Sequence, residues 1–313
     1  MDKLKEWLQT TAFAKYEINI ASADASFRKY YRLTKEGQTF IVMDSSLELE
    51  SLKPFVGITA RLQTSKVNVP QIYAQNLELG YLVLEDLGKT NLLDVLDKSN
   101  FKMLYKKAIE EIIKMQTADN AGLPLYDKDF LHFEMALMQE WYLEKKLSHT
   151  LTQEQKNIIK STLENISCVV LSQPQNMFVH RDFHSRNIML TNKQTLGVID
   201  YQDAMNGALT YDLVSLLKDC YIAFSREDVE ELALYFRDKT SPQTSDAEFL
   251  KWFDFMGLQR HIKVLGVFSR LHLRDKKDGY LKDIPLTLKY TIQTAERYDE
   301  TKELAALLKR VAL

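Results

Sequence analysis

The chain has 313 residues, 45% hydrophobic and 27% charged, with 41 Lys plus Arg against 43 Asp plus Glu and a formal net charge of −2. At about 150 residues per domain this allows one large or two modest globular domains, able to bury a core without disulfides or structural metals. The balanced charge excludes a general nucleic-acid binder, the two cysteines Cys168 and Cys220 make neither a disulfide framework nor a zinc set, and no apolar run approaches the about 20 residues of a membrane span.

The amino terminus, Met1 to Trp7, is too polar for a signal peptide, so the chain is expected in the cytoplasm. The first 90 or so residues read mostly as strand. Phe27 to Leu33 and Gln38 to Met43 are rich in aromatic and β-branched residues, and Thr34 to Gly37 separates them as a hairpin loop with Gly37 at positive φ. Leu47 to Gln63 reads as a helix. Gln71 to Ala74 and Tyr81 to Leu84 are further strands, closed by the polar run Glu85-Asp86-Leu87-Gly88.

Helical periodicity follows. Phe101, Leu104, Ala108, Ile112 and Met115 recur at three- and four-residue steps. Leu137, Trp141, Glu144 and Leu147 read as one helical face. Thr152 with Gln155 has the form of a capping box, and Ser225 and Ser245 are two more helix starts. One β-like island interrupts the helices: Phe178-Val179, a polar loop, Ile188 to Leu190, a turn, and Leu196 to Ile199.

The island carries the chemistry. It contains His180-Arg181-Asp182-Phe183-His184-Ser185-Arg186-Asn187, and Asp200 follows Asn187 by thirteen positions. This is the layout of a kinase catalytic loop, H-x-D and then N, with a second Asp after a hairpin. A hydroxyl nucleophile needs a carboxylate to orient it and take its proton, which Asp182 supplies. Mg²⁺ on the ATP phosphates needs hard oxygen ligands, which Asn187 and Asp200 supply.

The segment resembles the aminoglycoside phosphotransferase and choline kinase superfamily over nearly the whole chain. It is most similar to the bacterial N-acetylmuramate/N-acetylglucosamine anomeric kinases of cell-wall recycling. Asp24 to Arg32, Val42 to Asp44, Leu84 to Gly88 and Gly197 to Ala204 carry the resemblance, with Thr210 to Ser215 and Gly257 to Gly266 pointing to the branch. The resemblance implies an α+β, protein-kinase-like, two-lobed fold. Residues 1–87 would form a small β-rich nucleotide lobe, and 88–313 a mostly helical catalytic and acceptor lobe. It implies a monomer that uses ATP and Mg²⁺ on an amino sugar, with no membrane or nucleic-acid partner. Asp182 would be the base and Asn187 and Asp200 the metal ligands. Asp203 is a second acid near the metal. Asp212 is a structural acid that braces the loop.

Two kinase features are missing. Ala21 to Phe27 replaces the glycine-rich loop, leaving Ser22 and Ser26 as hydroxyl donors to phosphate, and Thr39 to Asp44 lacks the usual lysine. One of Arg28, Lys29 and Arg32 is expected to replace it. Strand alternation sets Arg28 and Arg32 on one face and Lys29 on the other. Glu85 and Leu87 would offer backbone groups to adenine. His184 and Arg186 could steady the transferring phosphoryl group, or Arg186 could pair with a structural acid. Arg260 and His261 are acceptor-binding candidates, since a lactyl carboxylate suits an arginine. Other acceptors (an aminoglycoside, choline, homoserine, thiamine) and a nucleotide-binding pseudokinase are the alternatives.

Overall fold

The computed structural model describes residues 1–22 and 28–312, with only the backbone described at Ser22. The strands are β1 (Glu17–Ser22), β2 (Lys29–Lys35), β3 (Gln38–Asp44), β4 (Ile72–Asn76), β5 (Tyr81–Glu85), β6 (Met177–Val179), β7 (Ile188–Leu190), β8 (Leu196–Val198) and β9 (Met205–Gly207). The helices are α1 (Asp2–Gln9), α2 (Leu52–Thr64), α3 (Phe101–Gln116), α4 (Lys128–Leu137), α5 (Gln153–Ser172), α6 (Tyr211–Leu217), α7 (Arg226–Thr240), α8 (Asp246–Leu273), α9 (Ile284–Ala295) and α10 (Lys302–Ala312). Among the described residues no helix is long and apolar enough to cross a membrane.

The chain divides into two compact units. One holds Met1–Val95 with Arg186–Ala204, the other Leu96–Ser185 with Met205–Leu313. The boundary read from the sequence at residue 88 therefore misses a returning segment. Residues 186–204 join the amino-terminal unit because their hairpin bonds to it. Val198 N–H donates to the Asn68 carbonyl at 2.8 Å and Leu190 N–H to Thr90 at 2.9 Å. The Asn68 side chain donates to the Leu196 carbonyl at 2.8 Å.

The first unit is built on an antiparallel sheet of order β1-β2-β3-β5-β4. The β2–β3 turn works as expected: Lys35 pairs with Gln38, and Glu36 and Gly37 both take positive φ, 50° and 80°. The strand-rich reading of this region missed α1. Leu4, Trp7 and Leu8 sit at helical spacing and bury one face against Tyr31, Leu33, Val42, Tyr81 and Val83. The helix expected from Leu47 starts only at Leu52, after a 3-10 turn over Leu49–Ser51. Pro54 is tolerated there because first-turn N–H groups have no helical partner.

The second unit is helical. The capping box of α5 forms, and Ser225 and Ser245 cap α7 and α8 as their positions suggest. Phe178 and Val179 form a strand, but its partner is β9, which no run of β-branched residues announced. The central element is the 28-residue α8, buried without a break from Trp252 to Ile262. A helix buried all round must pair its polar groups internally. Asp254 does so by accepting from Lys218 Nζ at 2.9 Å, Arg226 at 2.5 and 2.9 Å, and Tyr298 at 2.8 Å.

Met138–Lys146 is a π-helix, so the spacing that read Leu137, Trp141, Glu144 and Leu147 as one face does not hold. Tyr142 and Leu143 turn inward, Glu144 is exposed, and Trp141 is half-buried with Lys145 Nζ 3.6 Å from its ring centroid. Gly266 of α8 meets the chain where α4 ends. A Cβ there would lie 2.5 Å from the Leu137 carbonyl oxygen and 2.6 Å from its Cβ.

His261 is a core residue, which corrects its reading as an acceptor ligand. It is 1% exposed, its Nε2–H donates to the Lys218 carbonyl at 2.9 Å, and its ring stacks on Tyr290 at 5.1 Å. Burial pulls its pKa down to about 3. The folded protein therefore keeps His261 neutral while the unfolded chain takes up a proton near pH 6.5. Its stabilising contribution is complete above that pH and is lost as pH falls toward 3. As pH falls below 6.5, urea unfolding is expected to lose stability through this group with a slope that rises to about 1.4 kcal/mol per pH unit by about pH 5. In His261→Gln, less stable at pH 7, that share of the slope disappears. Gly266→Ala is expected to destabilise by about 1–3 kcal/mol in the same assay, because backbone rather than a flexible side chain blocks the added methyl.

Candidate active site

In the second unit, β6 leads directly into the loop His180 to Ser185. Two neighbouring backbone N–H groups fix its start. Both donate to Asp212 in the first turn of α6, His180 at 2.7 Å and Arg181 at 3.1 Å. Arg181 then adopts φ +77°, a left-handed conformation that L residues rarely take. Its carbonyl accepts from Arg260 Nη1 at 2.8 Å and from Ser215 Oγ at 3.4 Å. Its guanidinium donates to Glu134 Oε1 at 2.8 Å and lies over Phe130, 5.5 Å from the centroid. The turn closes through Asp182 N–H to His180 Nδ1 at 3.2 Å and His184 N–H to the Asp182 carbonyl at 3.0 Å. Ser185 Oγ donates to the buried Asp219 at 2.5 Å.

Asp182 remains partly open to solvent at the tip of this loop. Burial pushes its pKa up, but the neighbouring Lys263, His184, Arg260 and Arg181 outweigh that and bring it down to about 2. Its carboxylate is thus ionised throughout the physiological range. Asp212 is the opposite case: burial raises its pKa despite the N–H groups aimed at it. Arg260 is 8% exposed, with its guanidinium 4.5 Å from the Tyr211 centroid. The structure thus gives one of its donors to the loop. His184 packs edge-on against Tyr221, 5.2 Å between centroids.

Sequence reasoning missed Glu134 and did not single out Lys263. Glu134 Oε1 accepts from Arg181 and Lys263 Nζ at 3.1 Å, and Oε2 accepts from Tyr126 and from Gln259 Nε2 at 3.2 Å. Glu134 is buried, yet these donors hold its pKa below the usual range against the upward push of burial. A lone acid in an amphipathic helix gives no sequence signal. Lys263 had one, as a charge in an otherwise apolar helix.

In the first unit, Asn187 and Asp200 flank the β7–β8 hairpin, one just before β7 and the other just after β8. The Ile199 N–H donates to the Asn187 carbonyl at 3.1 Å, and Asn187 Nδ2 donates to Asp200 Oδ2 at 3.3 Å. Asp200 has φ +67°, a conformation Asp tolerates better than most residues. Gln202 Nε2 bridges Asp200 Oδ1 at 3.0 Å and Asp203 Oδ2 at 3.1 Å. Buried Tyr201 anchors the segment, bonding Thr59 of α2 at 2.8 Å and stacking on Phe55 at 5.0 Å. Two exposed carboxylates and an amide oxygen are thus gathered in one patch. These are hard oxygen donors of the kind Mg²⁺ takes alongside water and phosphate. Arg186 is half-buried at the start of this segment.

Among the cations proposed to replace the missing lysine, Arg32 is held by Asp86. It donates to both carboxylate oxygens, at 2.6 and 3.1 Å, and to the Gly88 carbonyl at 3.0 Å. Burial alone would raise the Asp86 pKa, but Arg32 brings it below the usual range. Arg28 is buried, its Nε 3.3 Å from Ser51 Oγ and 3.5 Å from Glu48. Lys29 is exposed. The Glu85 N–H donates to the Gln71 carbonyl at 2.8 Å, and Leu87 is buried against Gly197, where a Cβ would lie 2.7 Å from its Cδ1. Ser26 and the Ser22 side chain lie outside the described residues.

Residues 17–250 match the phosphotransferase enzyme family. The N-acetylmuramate/N-acetylglucosamine kinase of Neisseria meningitidis serogroup B is 39% identical, covering 98% of this chain and 94% of that protein. The protein of the same name from Pseudomonas aeruginosa is also 39% identical, over 93% of this chain and 88% of its own length. Among solved structures, the ADP-bound aminoglycoside phosphotransferase APH(2'')-Ib superposes with a TM-score of 0.65 at 17% identity, covering 93% of this chain and 98% of that one. Choline kinase LicA from Streptococcus pneumoniae gives 0.65 at 13% identity, with the same two coverages. Those likenesses establish a kinase-like fold, and the family match over most of the chain makes this protein a member of the phosphotransferase enzyme family.

Proposed function

We propose that the protein is an ATP- and Mg²⁺-dependent kinase for the anomeric hydroxyl of N-acetylmuramate and N-acetylglucosamine, yielding the sugar 1-phosphate. The supporting observation is the 39% identity, across 98% of the chain, to a protein named for both sugars. The anomeric position, the role in peptidoglycan recycling and action as a monomer rest on the resemblance already described, and the cytoplasmic location on the sparse cysteines.

In this reading Asp182 accepts a hydrogen bond from the sugar hydroxyl, aligns it and takes its proton as the sugar oxygen bonds to the γ-phosphorus and the bond from that phosphorus to the ADP oxygen breaks, releasing ADP. Its low pKa keeps it ready as an acceptor at neutral pH. Such a weak base cannot pull the proton off early, so transfer accompanies phosphoryl migration. Asn187 and Asp200 hold the metal, with Asp203 as a further acid. Bound Mg²⁺ neutralises charge on the β- and γ-phosphates. His184, beside Asp182, and Arg186 are candidates to steady the moving phosphoryl group. The Arg32–Asp86 pair fixes the turn after β5, where backbone at Glu85 and Leu87 would meet adenine.

Asp182→Asn is expected to lower kcat by about 10²–10⁴-fold with Mg-ATP and either sugar, the range typical of a lost general base. Arg260→Gln is expected to lower kcat by about tenfold or more while the KM for ATP stays within about threefold, because it loosens the loop rather than a nucleotide contact. The acid limb of its kcat/KM profile should also move to higher pH, since a cation holding Asp182 ionised is gone. Arg260→Lys should recover part of both effects.

A further inference from the structure

We infer that Lys263, with Arg181, forms a carboxylate subsite that recognises the acid group of the acceptor and sets the preference between its two sugars. The inference rests on the proposed function and concerns the same acceptor site.

The donors are arranged unequally. Glu134 Oε1 is shared by two cations, Arg181 Nη2 at 2.8 Å and Lys263 Nζ at 3.1 Å. The other oxygen, Oε2, takes Tyr126 and Gln259. The carboxylate is buried and fully supplied with donors, so one anion serves two cations. Lys263 has three donors and gives one to Glu134 and one, at 3.4 Å, to Tyr211 Oη. Arg181 Nε is buried without a hydrogen-bond partner. The Lys263 side chain is 13% exposed and the Arg181 side chain 21%.

Arg260 is committed in part to the loop, its Nη1 donating to the Arg181 carbonyl at 2.8 Å. Asp182 is the other anion facing these cations. As the base it loses its charge when it takes the hydroxyl proton, leaving Glu134 alone against Arg181 and Lys263. An acceptor carboxylate would occupy the remaining donors and restore the balance at that step. N-acetylmuramate carries such a group on its lactyl ether, and N-acetylglucosamine has a hydroxyl there.

The test is steady-state kinetics with Mg-ATP on both sugars and on the carboxamide of N-acetylmuramate, which keeps the shape and removes the charge. In Lys263→Met, the ratio of kcat/KM for N-acetylmuramate to that for N-acetylglucosamine is expected to fall about tenfold or more, as for a lost charge-assisted hydrogen bond, mainly through KM. Lys263→Arg should hold the ratio within about threefold. The unaltered protein should disfavour the carboxamide by a similar factor, and Lys263→Met should not. That arm stands even if Lys263→Met fails to fold. An unchanged ratio, or a carboxamide used as well as the acid, overturns the subsite and leaves the kinase reading intact. If the unaltered protein phosphorylates neither sugar, the proposed function falls and the subsite with it.

Discussion

One peptide unit governs the second unit of the protein, the one following Arg181. A left-handed φ at a non-glycine residue costs on the order of 1 kcal/mol or more and persists only where its surroundings enforce it. Here three helices do so. The first turn of α6 takes the preceding N–H groups through Asp212, α8 takes the carbonyl through Arg260, and α4 takes the guanidinium through Glu134. Releasing the backbone would leave a buried carboxylate and a buried guanidinium unpaired, a larger penalty than the strain. Asp182 inherits its position from that constraint.

The first unit solves a similar problem with less effort. Asp200 is also left-handed, but Asp tolerates the conformation, and its side chain accepts from the amides of Asn187 and Gln202. Neutral donors leave carboxylate oxygens available to a cation, whereas an arginine at the same distance would compete with a metal. Cations are kept to structural duty elsewhere in the unit, as Arg32 on Asp86 shows. Asp182 sits among positive charges, and Asp200 accepts from two side-chain amides.

The features legible in the sequence were those with short, fixed spacing. The run from His180 to Asp200 and the hairpin within it are local, and local chemistry dictates them. The Ser and Thr caps were legible for the same reason. α1 was missed because eight residues carry too little periodicity against a strand-rich neighbourhood, and β9 because three residues around a glycine have no strand signature. The π-helix defeated the reading of Trp141, since spacing arguments assume ordinary winding. Partners distant in the chain were not legible at all. Nothing near Arg32 announces Asp86, 54 positions away, and nothing near Arg181 announces Arg260, 79 positions away. His261 and Arg260 looked alike as cationic residues in an apolar helix. Only packing separates a neutral core imidazole from a guanidinium turned to a loop.

The enclosure of α8 has a consequence for how the protein opens. Arg260 and Lys263, which hold the loop and the buried acid, ride on a helix whose middle is buried from Trp252 to Ile262. Amide protons in such a segment exchange only when the surrounding unit opens as a whole. The loop carrying Asp182 is thereby tied to the least labile part of its unit, so local fraying at α10 or at the π-helix leaves it in place. Proteolysis or partial denaturation should remove catalytic competence late, together with the unit's global cooperativity, rather than by early loosening of a surface loop.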